Sequence, residues 1–219
     1  MANQVYSFGW SILFCIYASY MESVVHHKIL HLGCFPALSK LEQVKHTALH
    51  HIRTFRTSHV RMFSSSEHKS SVDSWIEERW PDIKTNNEVQ KYGTVIDFNM
   101  LMAIWGLMIV PILPLFWLTR GPSACHCMTL LSVPWLSRYV HPLLHKPYEQ
   151  AVLEAGVWVR PVVNSRYGRW MWKHHWLHHK CPSRNFNLFL FGVGDYLRGV
   201  YYSPTKANLD QMKADGGHR

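Results

Sequence analysis

Four short runs of this chain gather imidazoles at the spacings metal ions need. HHKILH holds His26, His27 and His31; HTALHH holds His46, His50 and His51; HPLLH holds His141 and His145; HHWLHH holds His174, His175, His178 and His179. Residues four apart on an α-helix lie one above the other on the same face. The pairs His27/His31, His46/His50 and His141/His145 can therefore each aim two nitrogens at one ion, and the last run adds the tighter His175/His178/His179 set. Histidine makes up 16 of the 219 residues, twelve of them in these runs, where roughly 2% of a chain would be ordinary. The runs supply enough nitrogen for two ions with four or five imidazoles each. His59, His68, His126 and His218 belong to no motif and read as ordinary polar residues. Imidazole suits iron, copper, zinc and nickel. The sequence has no Glu-x-x-His pair of the ferritin-like kind and no cysteine set for an iron–sulfur cluster, so nitrogen dominates any dimetal site. The five cysteines read as reduced thiols, and the Cys125-His126-Cys127 spacing is too tight for an ordinary zinc finger.

The elements that must position these runs are apolar segments. Residues 5–21 carry no formal charge, residues 100–118 are uncharged and contain Pro111 and Pro114, and a shorter run covers 124–136 and continues to 140. Each is a candidate for entering a bilayer, the first at the lower length limit for a span. The turn at 119–123 makes the last two a helical hairpin. The first lacks a basic leader, so it reads as a membrane segment or signal anchor, not a cleaved signal peptide. If all three span, the histidine runs fall on one side. Most basic residues fall there too, Lys28, Lys45, Arg53, Lys146, Arg166 and Lys173 among them, with Arg120 the exception, as the positive-inside rule asks. The excess of Lys and Arg over Asp and Glu gives a formal charge of +9, which suits a face against anionic lipid. It does not form a stripe with a nucleic-acid-binding motif, so no nucleic-acid partner is expected. The expected fold is all-α: a base of about three short membrane helices under a cytoplasmic helical cap, one domain over 1–219. A polar insertion at 64–95 lies at the membrane surface as partial helix or loop, and a frayed polar tail begins at 205.

In order and spacing the four runs resemble the fatty acid hydroxylase and sterol desaturase superfamily, and most of all its fatty acid 2-hydroxylase-like branch, which carries an extra His-x-x-x-His ahead of the last box. NLFLFGVGDYLRGVYYSPT also resembles that family's closing stretch. The resemblance covers roughly residues 10–63 and 97–204 and leaves the insertion unmatched. It implies metal ligands at His27, His31, His46, His50, His51, His141, His145, His175, His178 and His179. His26 and His174 become outer neighbours, and Asp195 a candidate acceptor that orients a ligand imidazole; Glu22, one turn before His26, is a weaker candidate to face the metals. The chain departs from the family at Lys28, where arginine is usual, and in having about three apolar segments where four are usual.

The resemblance implies a membrane-bound monooxygenase that uses two iron ions, O2 and two electrons to hydroxylate a C–H bond of a fatty acyl, sterol or isoprenoid substrate. Zinc can occupy the same nitrogens on purification. Desaturation on the same site is the near alternative, and a zinc-stabilised membrane scaffold without turnover is the non-enzymatic one. A metal transporter fits less well, because transport sites lie near the bilayer midplane and these runs lie at segment ends. The electrons would come from a carrier such as cytochrome b5 or ferredoxin with its reductase, docked on the basic face. The implied location is an integral membrane one, in the endoplasmic reticulum of a eukaryote or the inner membrane of a bacterium. Trp158, Trp170, Trp172, Trp176, Phe186, Phe189 and Phe191 are candidates to line a lipid channel or to form an interfacial belt.

Overall fold

A computed structural model describes residues 2–34, 36–94, 106, 110–114 and 124–217. Among these the chain is helical and has no strand. Helix α1 (Ala2–Val25) runs without a break into a π-helical segment, His26–His31. In that segment the backbone bonds reach one residue further than in an α-helix, as Leu32 N to His27 O at 3.1 Å shows. Gly33, at φ +62°, ends it. Helix α2 (Pro36–Gln43) leads into a second π-helical segment, Val44–Thr54, closed by Phe55 N to His50 O. The Thr54 hydroxyl folds back to the carbonyls of Leu49 and His50 and ties off that end.

The insertion is ordered by its own caps. Ser65 caps α3 (Ser66–Arg79) and Asp82 caps α4 (Ile83–Val89), each accepting a backbone N–H of the first turn. Val72, Ile76 and Val89 bury against Leu49 of the second π segment. The insertion, expected as partial helix or loop, is helical over Ser66–Arg79 and Ile83–Val89 and caps the histidine-bearing segment, because apolar residues recur at four-residue helical spacing, as in Val72 and Ile76.

Helix α5 (Ala124–Tyr139) contains Pro134 and passes through a turn to α6 (His141–Leu144). There follow α7 (Tyr148–Glu154), α8 (Arg160–Val163), α9 (Arg166–Lys180), α10 (Val193–Leu197) and α11 (Lys206–Ala214). The main core joins Leu136, Val140, Leu144, Tyr148, Met171, Trp172, Trp176 and Met212. Each buried tryptophan there removes about 150–250 Å² from water, which stabilises by several kcal/mol at about 25 cal/mol per Å². Helix α10 lies tightly on α1: a Cβ on Gly194 would sit 2.2 Å from the Ser19 carbonyl.

Two expectations change. Residues 205–217, expected to fray, are held: Thr205 and Asn208 form a capping box, Met212 enters the core, and the Trp176 indole donates to Asp215 at 2.8 Å. Among the described residues no helix is long and apolar enough to cross a membrane. Ser11, Ser19, Glu22 and Ser23 dilute α1, and the 16 residues of α5 span about 24 Å at 1.5 Å each, short of a hydrocarbon core of about 30 Å. Most of the expected segment 100–118 and the turn at 119–123 lie outside the described residues.

Candidate metal centre

The two π segments and α9 converge so that histidine side chains form two adjoining sets. His26 and His31 of the first π segment, His46 and His51 of the second, and His178 of α9 form one; His50, His145, His175 and His179 form the other. Within each set the candidate ligand nitrogens all lie within 4.8 Å of one another. In the first set the Nε2 atoms make a continuous chain: His26 to His46 2.9 Å, His46 to His51 3.2 Å, His51 to His178 3.2 Å, His178 to His31 3.2 Å. In the second, His145 and His175 bring Nε2 atoms to 2.8 Å.

Backbone pitch decides which histidines meet. In a π-helix residues five apart share a face, so His26 pairs with His31 and His46 with His51. In α-helical α9 residues four apart do, so His175 pairs with His179. The resemblance implies His27 where the structure brings in His26. His27 turns outward, stacks on Phe186 with ring centroids 4.5 Å apart, and takes an Arg198 N–H at its Nδ1, 2.6 Å away. The wider π turn brings residues five apart, such as His26 and His31, near enough to one face to meet, while Arg198 and Phe186 hold His27.

The ring tautomers are set by backbone carbonyls. The Nδ1–H groups of His26, His50, His141, His145 and His178 donate to the carbonyls of Phe186, Tyr92, Thr94, His59 and Arg184, at 2.7–3.2 Å. A carbonyl only accepts, so Nδ1 carries the proton and Nε2 is a bare lone pair facing inward. Double protonation is disfavoured as well. Burial, reinforced in most cases by neighbouring imidazoles, holds His26, His46, His50, His51, His145, His175 and His179 well below the usual histidine value. Burial above all pulls His141 and His178 down to about 4, and His31 to about 2. His26 and His178, both bare at Nε2, have rings 4.5 Å apart; His50 and His145, bare likewise, are 4.6 Å apart.

Lone pairs that converge in a buried place repel unless a cation lies between them. At metal–nitrogen bonds of about 2.0–2.1 Å, neighbouring ligands around an octahedral or tetrahedral ion stand roughly 3.0–3.4 Å apart, close to the Nε2 spacings here. Buried ring nitrogens without any partner complete the argument: Nδ1 of His46, His51 and His175, Nε2 of His50, and both nitrogens of His179. The residues present therefore fit two metal ions, one per set. Among the described residues no carboxylate belongs to either.

The remaining expected residues fall around the sets. His141 stands beside the second with its Nε2 unpartnered, its ring 4.7 Å from that of His175. His174 points away, donating to Asp195 at 3.2 Å and stacking on Trp170. Asp195 thus orients His174 and no member of either set. It also accepts from Ser23 and the Asn187 N–H, which fastens the 184–189 segment to α1. Glu22 serves the same segment, accepting from the N–H groups of Leu188 and Phe189 and from Asn187; burial pushes its carboxyl up to about 7. That segment supplies the Arg184 and Phe186 carbonyls for His178 and His26. Of the aromatic candidates, Phe186 packs against His26 and His178, Trp172 and Trp176 lie in the core, and Trp158 and Phe191 are exposed. His68 makes ordinary structural bonds to Arg53 and Ser64, and the side chains of His126 and His218 lie outside the described residues. The Tyr92, Thr94, Arg184 and Phe186 carbonyls have no signal in side-chain identity. The five-residue spacing shared by 26/31 and 46/51 did carry one for His26.

An apolar cavity of about 50 Å³ adjoins the site, lined by Val25, Leu30, Val133, Leu188 and Phe189, with His26, His46 and His141 on its metal side. The Glu22 carboxyl and the Ser137 hydroxyl also line it, and its remaining walls are apolar and favour a hydrocarbon. The chain matches no protein-family model, no curated protein and no solved structure.

Proposed function

We propose that this protein is a histidine-ligated dimetal oxygenase of the fatty acid hydroxylase and sterol desaturase type, associated with a lipid bilayer and acting on a lipid-like substrate. The observation that carries the reading is the convergence of bare Nε2 atoms on two adjoining points. Two iron ions, when bound there, supply the reductive activation of O2 that attack on an unactivated C–H bond requires. The chain's own part is positional. Carbonyls of Tyr92, Arg184 and Phe186 fix the imidazoles, and burial keeps them neutral and ready to bind. The cavity beside His26, His46 and His141 holds a short apolar piece of substrate away from water.

Bilayer association has support in the exposed apolar faces of α1, at Ile12, Leu13 and Ile16, and of α5, at Met128 and Leu131. The formal charge of +9 suits an acidic electron carrier such as cytochrome b5 or ferredoxin. The test is metal analysis and aerobic, reductant-driven oxidation of acyl and sterol lipids by purified protein, beside a His178→Ala/His179→Ala variant. Two irons per chain with oxygen-dependent product, lost in the variant, is the expected result. Zinc alone and no turnover after iron loading sinks the oxygenase and leaves a metal-stabilised scaffold.

A further inference from the structure

One polar side chain on the cavity wall has no partner in the protein. Ser137 of α5 is 2% exposed, and its hydroxyl oxygen is buried without a hydrogen bond. A serine within a helix ordinarily turns its hydroxyl back onto a carbonyl of the preceding turn. Ser132 of the same helix does so, donating to the Thr129 carbonyl at 2.7 Å. Ser137 does not, and it lines the cavity beside Val133, Leu188 and Phe189.

The other polar groups there are engaged. Glu22 accepts from the N–H groups of Leu188 and Phe189 and from the Asn187 amide. His26 and His46 belong to the first set, and the Nδ1–H of His141 is spent on the Thr94 carbonyl. A buried hydroxyl left unpaired loses its hydration for nothing. A plain hydrocarbon in the cavity would cover the apolar walls and leave that cost in place. A chain bearing one uncharged oxygen would cover the same walls and pair the hydroxyl. A site that hydrogen-bonds one group of an otherwise apolar ligand rejects the analogue that lacks it.

We propose that Ser137 is a specificity-determining residue that donates to an uncharged oxygen, carbonyl or hydroxyl, of the lipid held in this cavity. The substrate class is then a lipid whose oxygen-bearing end enters the cavity, not an unsubstituted stretch of hydrocarbon. This rests on the lipid-oxidising reading above, but it asks for binding and not for turnover.

The test is equilibrium binding of dodecane, 1-dodecanol and 2-dodecanone to the full chain in one detergent, for wild type, Ser137→Ala and Val133→Ala, with thermal unfolding and metal content measured on the same preparations. The wild type should bind the alcohol, the ketone or both more tightly than the alkane. Ser137→Ala should weaken the preferred probe about three- to tenfold, the worth of one hydrogen bond, and leave dodecane unchanged. Without lipid it should unfold roughly 2–4 °C higher, because it removes an unpaired buried hydroxyl. Val133→Ala, on the same wall, should weaken all three probes together. No preference for oxygen in the wild type, equal loss of all probes in Ser137→Ala, a lowered unfolding temperature in Ser137→Ala, or no effect of Val133→Ala overturns the assignment. Any of these in a chain that carries two metal ions leaves the oxygenase reading standing. The expected binding pattern in a chain that takes up no metal upholds Ser137 and sinks the oxygenase instead.

Discussion

His26 and His27 are neighbours with opposite orientations, and substitution separates them. His26→Ala should weaken metal binding at the first set by more than the roughly 100-fold that loss of an outer hydrogen-bond partner costs. His27→Ala should leave both ions bound, because its ring meets Arg198 and Phe186 instead. Metal analysis after dialysis against a weak chelator reads both; equal loss in the two variants would refute the placement. At this scale much of the site was legible. His31, His46, His51 and His178, and His50, His145, His175 and His179, stand in the sets the structure assembles, since clustered imidazoles have few other uses. The exchange of His26 for His27 was hidden because a four-residue spacing presumes α-helical pitch. Asp195 holds His174, outside both sets, where the resemblance implies a ligand imidazole.

At the scale of elements, the insertion is what orients His50 of the second set and its neighbour His141. Its last turn puts Tyr92 at φ 50° and Gly93 at φ +68°, so that the Tyr92 carbonyl meets His50 and the Thr94 carbonyl meets His141. A Cβ on Gly93 would lie 2.5 Å from the Lys45 carbonyl and 2.9 Å from the His50 Cβ. Gly93→Ala should therefore destabilise the chain by about 1–3 kcal/mol and weaken the second ion more than the first. Thermal unfolding with and without metal checks this, and a neutral result would mean the turn relaxes without moving His50. Ile76→Ala, emptying a fully buried position between α3 and the second π segment, should cost about 2–5 kcal/mol. The sequence showed the insertion as polar and charged, which is true of its outer face. Its inner face buries Val72, Ile76 and Val89 fully, with Trp75, Trp80 and Tyr92 packed beside them, and nothing in their spacing shows that Leu49 is the partner.

For the whole molecule, metal and proton compete for the same buried nitrogens. In the metal-free chain these histidines have folded pKa values below the unfolded value of about 6.5, so the unfolded state binds more protons and stability falls as pH drops through 6.5. Each one takes away about 1.4 kcal/mol per pH unit until its folded pKa is reached, at about 4 for His141 and His178, about 3 for His59 and about 2 for His31. The metal-free chain should unfold cooperatively on mild acidification, with steep proton uptake below pH 6.5, and bound metal should move the transition to lower pH. Circular dichroism during an acid titration, with and without zinc, measures it; a transition unaffected by metal would contradict the site. The helical class was legible from apolar patterning and the absence of strand-like alternation. The docking of α11 was not, because Met212 and Asp215 acquire meaning only against Trp172 and Trp176.

The order of synthesis gives the split between early and late histidines a further meaning. Four members of the first set lie within residues 26–51, and the fifth, His178, arrives some 127 positions after His51. The second set holds only His50 until His145 appears, and gains its last two from α9. A nascent chain thus carries half-formed clusters of sticky imidazole for most of its emergence, able to capture whatever metal is free. Both sets close only when α9 docks, so each stays incomplete until the chain is made past Lys180.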